Sequence, residues 1–216
     1  MSQHCTHSPP DPGTAPLGLR RALIWVIAIN ATMFVVEMLA GSLAQSQALQ
    51  ADALDFLADS LTYGLSLAVL GMSLRTRAMA ALLKGGSLAA MGLFVLGFTV
   101  WRAIGGAEPE APVMGAIGFL ALAANFVSVV LLIRFREGDA NIRSVWLCSR
   151  NDAIGNIAVI GAAALVWISG SYWPDLVVAA GMAGLFLHSA TLILLRARQE
   201  LVAGENPTPY GAPQAP

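Results

Sequence analysis

Four side chains able to hold a metal ion recur in pairs spaced four residues apart, in two separate apolar stretches of this 216-residue chain. In "ALQADALDFLADSLTYGLSLAVLGMS", residues 48–73, Asp55 and Asp59 stand one helical turn apart, and Asp52 precedes Asp55 by three residues. In "VWLCSRNDAIGNIAVIGAAALVWI", residues 145–168, Cys148 and Asp152 have the same spacing. Residues three and four apart share a helix face. Asp52, Asp55 and Asp59 therefore line one stripe, while the Cys148 thiol and the Asp152 carboxylate project together from a second helix and Arg150 points elsewhere. An aspartate at the centre of a membrane-spanning helix costs about 2.5–3.5 kcal/mol, and acids kept there bind a cation or carry protons. Three carboxylates and a thiolate make a four-ligand set, and zinc and cadmium favour tetrahedral sites with sulfur and oxygen donors. A magnesium or calcium cage would ask for six or more oxygens. The predicted metal ligands are thus Asp55, Asp59, Cys148 and Asp152. Asp52 is a further candidate, against solvation at the outer interface; Asn156 is another, against an interhelical hydrogen bond. His4, Cys5 and His7 have ligand chemistry too, against chance occurrence in a passive N-terminal tail.

Helices in a bilayer must position these groups. The chain is 56% hydrophobic and 12% charged, with a mean hydropathy of +0.68, about half the charge of a soluble domain. Six apolar segments of roughly 20 residues, the length that spans hydrocarbon, lie near Ala22–Leu43, Leu49–Leu70, Ala78–Ile104, Val113–Phe135, Val145–Ile168 and Leu176–Leu195. They are continuous runs without the ~10-residue alternation of barrel strands, so the expected fold is an all-α membrane protein, a six-transmembrane-helix bundle. Arg20, Arg21, Arg75, Arg77, Arg134, Arg136, Arg143, Arg196 and Arg198 flank one set of connections, whereas "GSLAQSQ", "GGAEPEAP" and "GSYWPD" contain no Lys or Arg. The positive-inside rule then places both termini in the cytoplasm. Residues 1–19 and 201–216 read as Pro- and Gly-rich disordered tails around a transport domain at 20–200. A net charge of −1 gives no reason to expect nucleic-acid binding, the two distant cysteines make no disulfide framework, and no signal peptide is evident.

Other polar residues invite structural readings. Glu37 and Asn30 on the first helix form a support network or, for Glu37, meet interfacial water. Asn125 suits an interhelical hydrogen bond, Lys84 snorkels to the cytoplasmic surface, and His188 packs or bonds within the last helix.

The stretch "AINATMFVVEMLAGSLAQSQALQADALDFLADSLTYGLSL" resembles the first two helices of the cation diffusion facilitator family: an Asn and a Glu in helix one (here Asn30 and Glu37), a short outer loop, "ADA", and a His/Asp-x-x-x-Asp pair (here Asp55 and Asp59). The fifth helix resembles the family's His-x-x-x-Asp at Asp152, with Cys148 in place of His, and "WPDLVVAAGMAGLFLHSATLILL" resembles helix six. The resemblance covers residues 21–201 and implies efflux of a divalent transition metal, zinc or cadmium, in exchange for protons by alternating access. Cys148 shifts the expectation towards softer ions. The soluble domain that family members commonly carry after helix six is expected to be lacking here. Implied partners are divalent metal ions, protons and the lipid bilayer of a bacterial plasma membrane, with a homodimer left open; no cofactor is expected. Competing readings are a membrane sensor or assembly subunit and a proton-coupled carrier of an organic cation. An intramembrane metalloprotease would need His-Glu-x-x-His, which does not occur, and no phosphate-binding Gly-rich loop ending in Lys-Ser or Lys-Thr is found.

Overall fold

Long apolar runs broken only by Gly, Pro and polar turns give six helices: α1 (Leu17–Leu43), α2 (Gln47–Ala68), α3 (Leu74–Gly105), α4 (Ala111–Ile133), α5 (Ala140–Ser169) and α6 (Trp173–Glu205). The computed structural model describes residues 17–68, 74–106, 108–133 and 140–205, and the side chains of α5 from Asp152 onward. Among the described residues there is no strand, as the sequence led us to expect. Gly106 follows α3 at φ 80° and Gly170 follows α5 at φ 61°, left-handed positions that glycine adopts without a Cβ clash and that end helices.

Among the described residues, five helices are long and apolar enough to cross a membrane. The exception, within its described stretch Gln47–Ala68, is α2, with three aspartates in 22 residues. Its position explains how such a helix is accommodated. α2 packs against all five other helices, whereas the most extensive pairings among the rest are α3 with α6 and α4 with α5. The polar helix is thus the axis of the bundle, and the apolar ones surround it. Large side chains such as Trp25, Leu39, Leu83, Phe94, Phe126 and Val177 are exposed on the outside, the pattern of helices solvated by hydrocarbon. Trp101, Trp167 and Trp173 are exposed near one end, the end of the α1–α2, α3–α4 and α5–α6 connections, as in an interfacial aromatic belt.

Small residues let the helices approach closely. A Cβ added at Gly85 would lie 2.9 Å from the Leu194 side chain, and one at Gly92 would lie 2.9 Å from Leu187. These two glycines, seven residues apart on α3, seat α6. On the other side of the bundle, a Cβ at Gly41 would lie 2.9 Å from that of Leu49, which fixes how near α1 comes to α2.

Candidate metal centre

The acid stripe is positioned from the N-terminus of α2. The first amides of a helix have no intrahelical acceptor, and here three of them are satisfied by two side chains. Ser46 Oγ accepts from Leu49 N at 3.1 Å, an N-cap at the third helical position. Asp175, fully buried at the start of α6, accepts from Gln47 N at 2.8 Å, from Ala48 N at 3.0 Å and from Ser46 Oγ at 2.6 Å. A carboxylate at this end also complements the helix dipole. The turn before it is held as well: Gln45 sits at φ 53°, its Oε1 accepts from Arg102 Nη1 at 3.0 Å, and Ala44 O accepts from Glu110 N at 3.0 Å. The register of α2 is therefore tied to α6, α3 and the segment before α4. The sequence reading gave no role to Asp175 or Arg102.

From that anchor, Asp55 and Asp59 face α5. Asp152 lies within side-chain contact of both, so the structure brings together three of the predicted ligands from two helices. They line a cavity of about 210 Å³ between α2, α3, α5 and α6, together with Lys84 and His188. Tyr63 donates to Asp59 Oδ2 at 3.2 Å. Asp152 Oδ2 is buried, and no donor among the described residues reaches it. Like charges this close cannot all persist without a compensating cation or protons. Among the described residues, no three His, Cys, Asp or Glu side chains converge closely enough to hold an ion as they stand; the acids meet pairwise through Asp152. The fourth predicted ligand, Cys148, lies on α5 with its side chain outside the described residues, and His4, Cys5 and His7 also lie outside them.

Several expectations need correcting. Asp52 is not solvated at an interface: it is 2% exposed and contacts Glu37, which is 0% exposed. Both owe their burial to the close α1–α2 packing at Gly41. Lys84 does not snorkel to a surface. Its charge faces Asp59 within the cavity, because Gly85 seats α3 against α6 and turns the neighbouring side chain towards α2. His188 is exposed at the cavity rather than packed within the helix bundle. Asn156 is 0% exposed, and neither amide atom has a hydrogen-bond partner among the described residues, so the expected interhelical hydrogen bond is not found among them.

An acid cluster on a central helix, facing a carboxylate on a second helix, is the arrangement that the helix-two and helix-five motifs implied. A family model described as the cation efflux transmembrane domain matches residues 23–202. The chain belongs to the cation efflux family. The family expectation from the sequence is thereby met, and the fold is that of a multi-pass integral membrane protein. Among similar curated proteins, the metal cation efflux system protein CzcD of Cupriavidus metallidurans is 25% identical over 202 residues, covering 88% of this chain and 62% of that protein. The zinc transporter ZitB of Escherichia coli is 28% identical over 201 residues, covering 85% of this chain and 63% of that protein. The chain thus spans less than two thirds of the length of these cation efflux relatives, and the matched region holds the whole stripe of α2 and Asp152 of α5.

Proposed function

We propose that this protein exports divalent transition-metal ions of the zinc and cadmium class, holding the ion between Asp55, Asp59 and Asp152, with Cys148 as a fourth ligand. The observation that carries the reading is the meeting of Asp152 with both α2 acids at one cavity, with Asp152 Oδ2 buried and no donor reaching it among the described residues. Such a group finds its counter-charge in a cation. A carboxylate binds metal only when deprotonated, so loading the ion releases protons and reprotonation expels it. Alternate exposure of the cavity to the two sides of the membrane then makes a metal/proton exchanger that needs no nucleotide. CzcD and ZitB are named for metal cation efflux and zinc transport, which accords with this substrate class. In this reading the termini face the cytoplasm of a bacterial cell and residues 20–200 form the transport unit; α1 and α6 run past the expected limits of that unit, from Leu17 and to Glu205.

The test is zinc uptake into everted membrane vesicles by Asp55→Ala, Asp59→Ala and Asp152→Ala, with membrane levels measured in parallel. Each substitution is expected to abolish transport at unchanged protein level. Near-normal transport by any two of them would end the shared-site reading.

A further inference from the structure

A second group of buried acids lies outside the cavity, towards the end of the bundle that carries the α1–α2 turn. Glu37 of α1 and Asp52 of α2 bring their carboxyl groups into contact. Glu37 is 0% and Asp52 2% exposed, and no donor among the described residues reaches either oxygen of Glu37 or Oδ2 of Asp52. A buried carboxylate without donors is costly, and two in contact are more so.

A third helix supplies a further unpartnered group at the same level. Asp152 of α5 stands beside Asp55 and Asp59, and Val159 of the same helix packs in one cluster with Ala48 and Leu49. Asn156 lies between these two contacts on α5, as Asp52 lies between them on α2. Asn156 also shares the helix face of Asp152, one turn or about 6 Å along. Its side chain is fully buried, with Oδ1 and Nδ2 both unpartnered among the described residues. Asp52 in turn is near enough to Asp55 and Asp152 for their charges to interact.

We infer that Glu37, Asp52 and Asn156 form a second station for a divalent metal ion, next to the central site and nearer the α1–α2 turn. The inference goes beyond the central-site reading, which assigns these residues nothing. The donors are two carboxylates and an amide oxygen, with water completing the shell. An all-oxygen set lacks the thiolate preference for soft ions and discriminates less between divalent metals. Asp52 precedes Asp55 by three residues, about one helical turn, so ions in the two stations repel, and filling one promotes release from the other. The station thus acts as a transit point on the path between the central site and the turn end of the bundle.

The experiment is equilibrium binding of zinc to the purified full chain in lipid nanodiscs, for wild type, Glu37→Gln, Asp52→Asn and Asp59→Asn. The first two substitutions are isosteric and remove one charge each. Wild type is expected to bind two ions per chain, the second more weakly than the first. Glu37→Gln and Asp52→Asn should each lose one ion and keep the other, and the retained ion doubles as the check that the variant is folded. Asp59→Asn should also keep one ion, which is then lost in the Glu37→Gln/Asp59→Asn double variant. A single wild-type ion, abolished by Asp59→Asn and untouched by Glu37→Gln, overturns the second station while leaving the central-site reading intact. Ions lost with Glu37→Gln but indifferent to Asp59→Asn would instead overturn the central site and leave the station standing.

Discussion

Asp175→Asn should destabilise the protein by about 3 kcal/mol, because that carboxylate is shared by three donors at the start of α2. Asparagine is isosteric and keeps one acceptor oxygen, which can still serve Ser46 Oγ and Ala48 N. It places an NH2 group against Gln47 N, whose 2.8 Å bond is lost. A hydrogen bond to a charged group contributes about 1.5–3 kcal/mol, and the stranded buried amide adds its own desolvation cost. Removing the negative charge beside the helix N-terminus adds about 0.3–1 kcal/mol. Asp175→Ala removes all three bonds and should cost about 4–5 kcal/mol, in the range for breaking a buried charged contact from one side. The assay is equilibrium unfolding in mixed micelles, followed by circular dichroism, for both variants, Ser46→Ala and the Ser46→Ala/Asp175→Asn double variant. Because Ser46 Oγ bridges Asp175 and Leu49 N, the double-variant cycle should show a coupling of about 1 kcal/mol. If Asp175→Asn unfolds within about 0.5 kcal/mol of wild type, the carboxylate does not hold α2 and the reasoning fails.

Lys84→Gln removes a positive charge facing Asp59, so zinc should bind at least about tenfold more tightly, the least expected for a unit charge near a dication at an effective dielectric of about 20; isothermal titration in nanodiscs checks this. Cys148→His should lower the cadmium-to-zinc transport ratio in vesicles while keeping zinc transport, since thiolate is the softer donor; an equal ratio in wild type, Cys148→His and Cys148→Ser would make the thiol a packing group. Gly92→Leu should separate α3 from α6, since even a Cβ there meets Leu187 at 2.9 Å, and a loss of about 1–3 kcal/mol by overpacking is measurable by the same unfolding assay. Reporter fusions at Pro109 and at Pro216 should report opposite sides of the membrane, and agreement between them would remove the proposed orientation.

The helices and the α2 stripe were legible because both follow from local periodicity: apolar runs of membrane length, and acids at spacings of three and four. The partner Asp152 was legible by the same spacing on another helix. What periodicity cannot give is which faces of two helices meet. Glu37 and Asp52 are ordinary near-interface acids until the close approach at Gly41 presses α1 onto α2. Lys84 has the length to reach a surface, and only the seating of α6 against Gly85 and Gly92 directs it into the cavity. Asp175 drew no role from its sequence context, yet it caps a different helix, one whose start lies 128 residues away in the chain.

The exception among the six helices has a consequence for how the protein is made. At a helix centre each aspartate opposes membrane insertion by about 3 kcal/mol, whereas each Leu or Phe favours it by only about 0.3–0.6 kcal/mol. Within Gln47–Ala68 seven Leu and Phe residues stand against Asp55 and Asp59, so α2 is expected to insert poorly if it is presented to the translocon alone. The short link from α1, closed by Ala44 and Ser46 amides bonding back to Ala40 and Gly41 carbonyls, lets the two helices enter as one hairpin, with α1 carrying its polar neighbour across. Biogenesis of this protein is thus expected to draw on the α1–α2 contact before the remaining four helices have been synthesised.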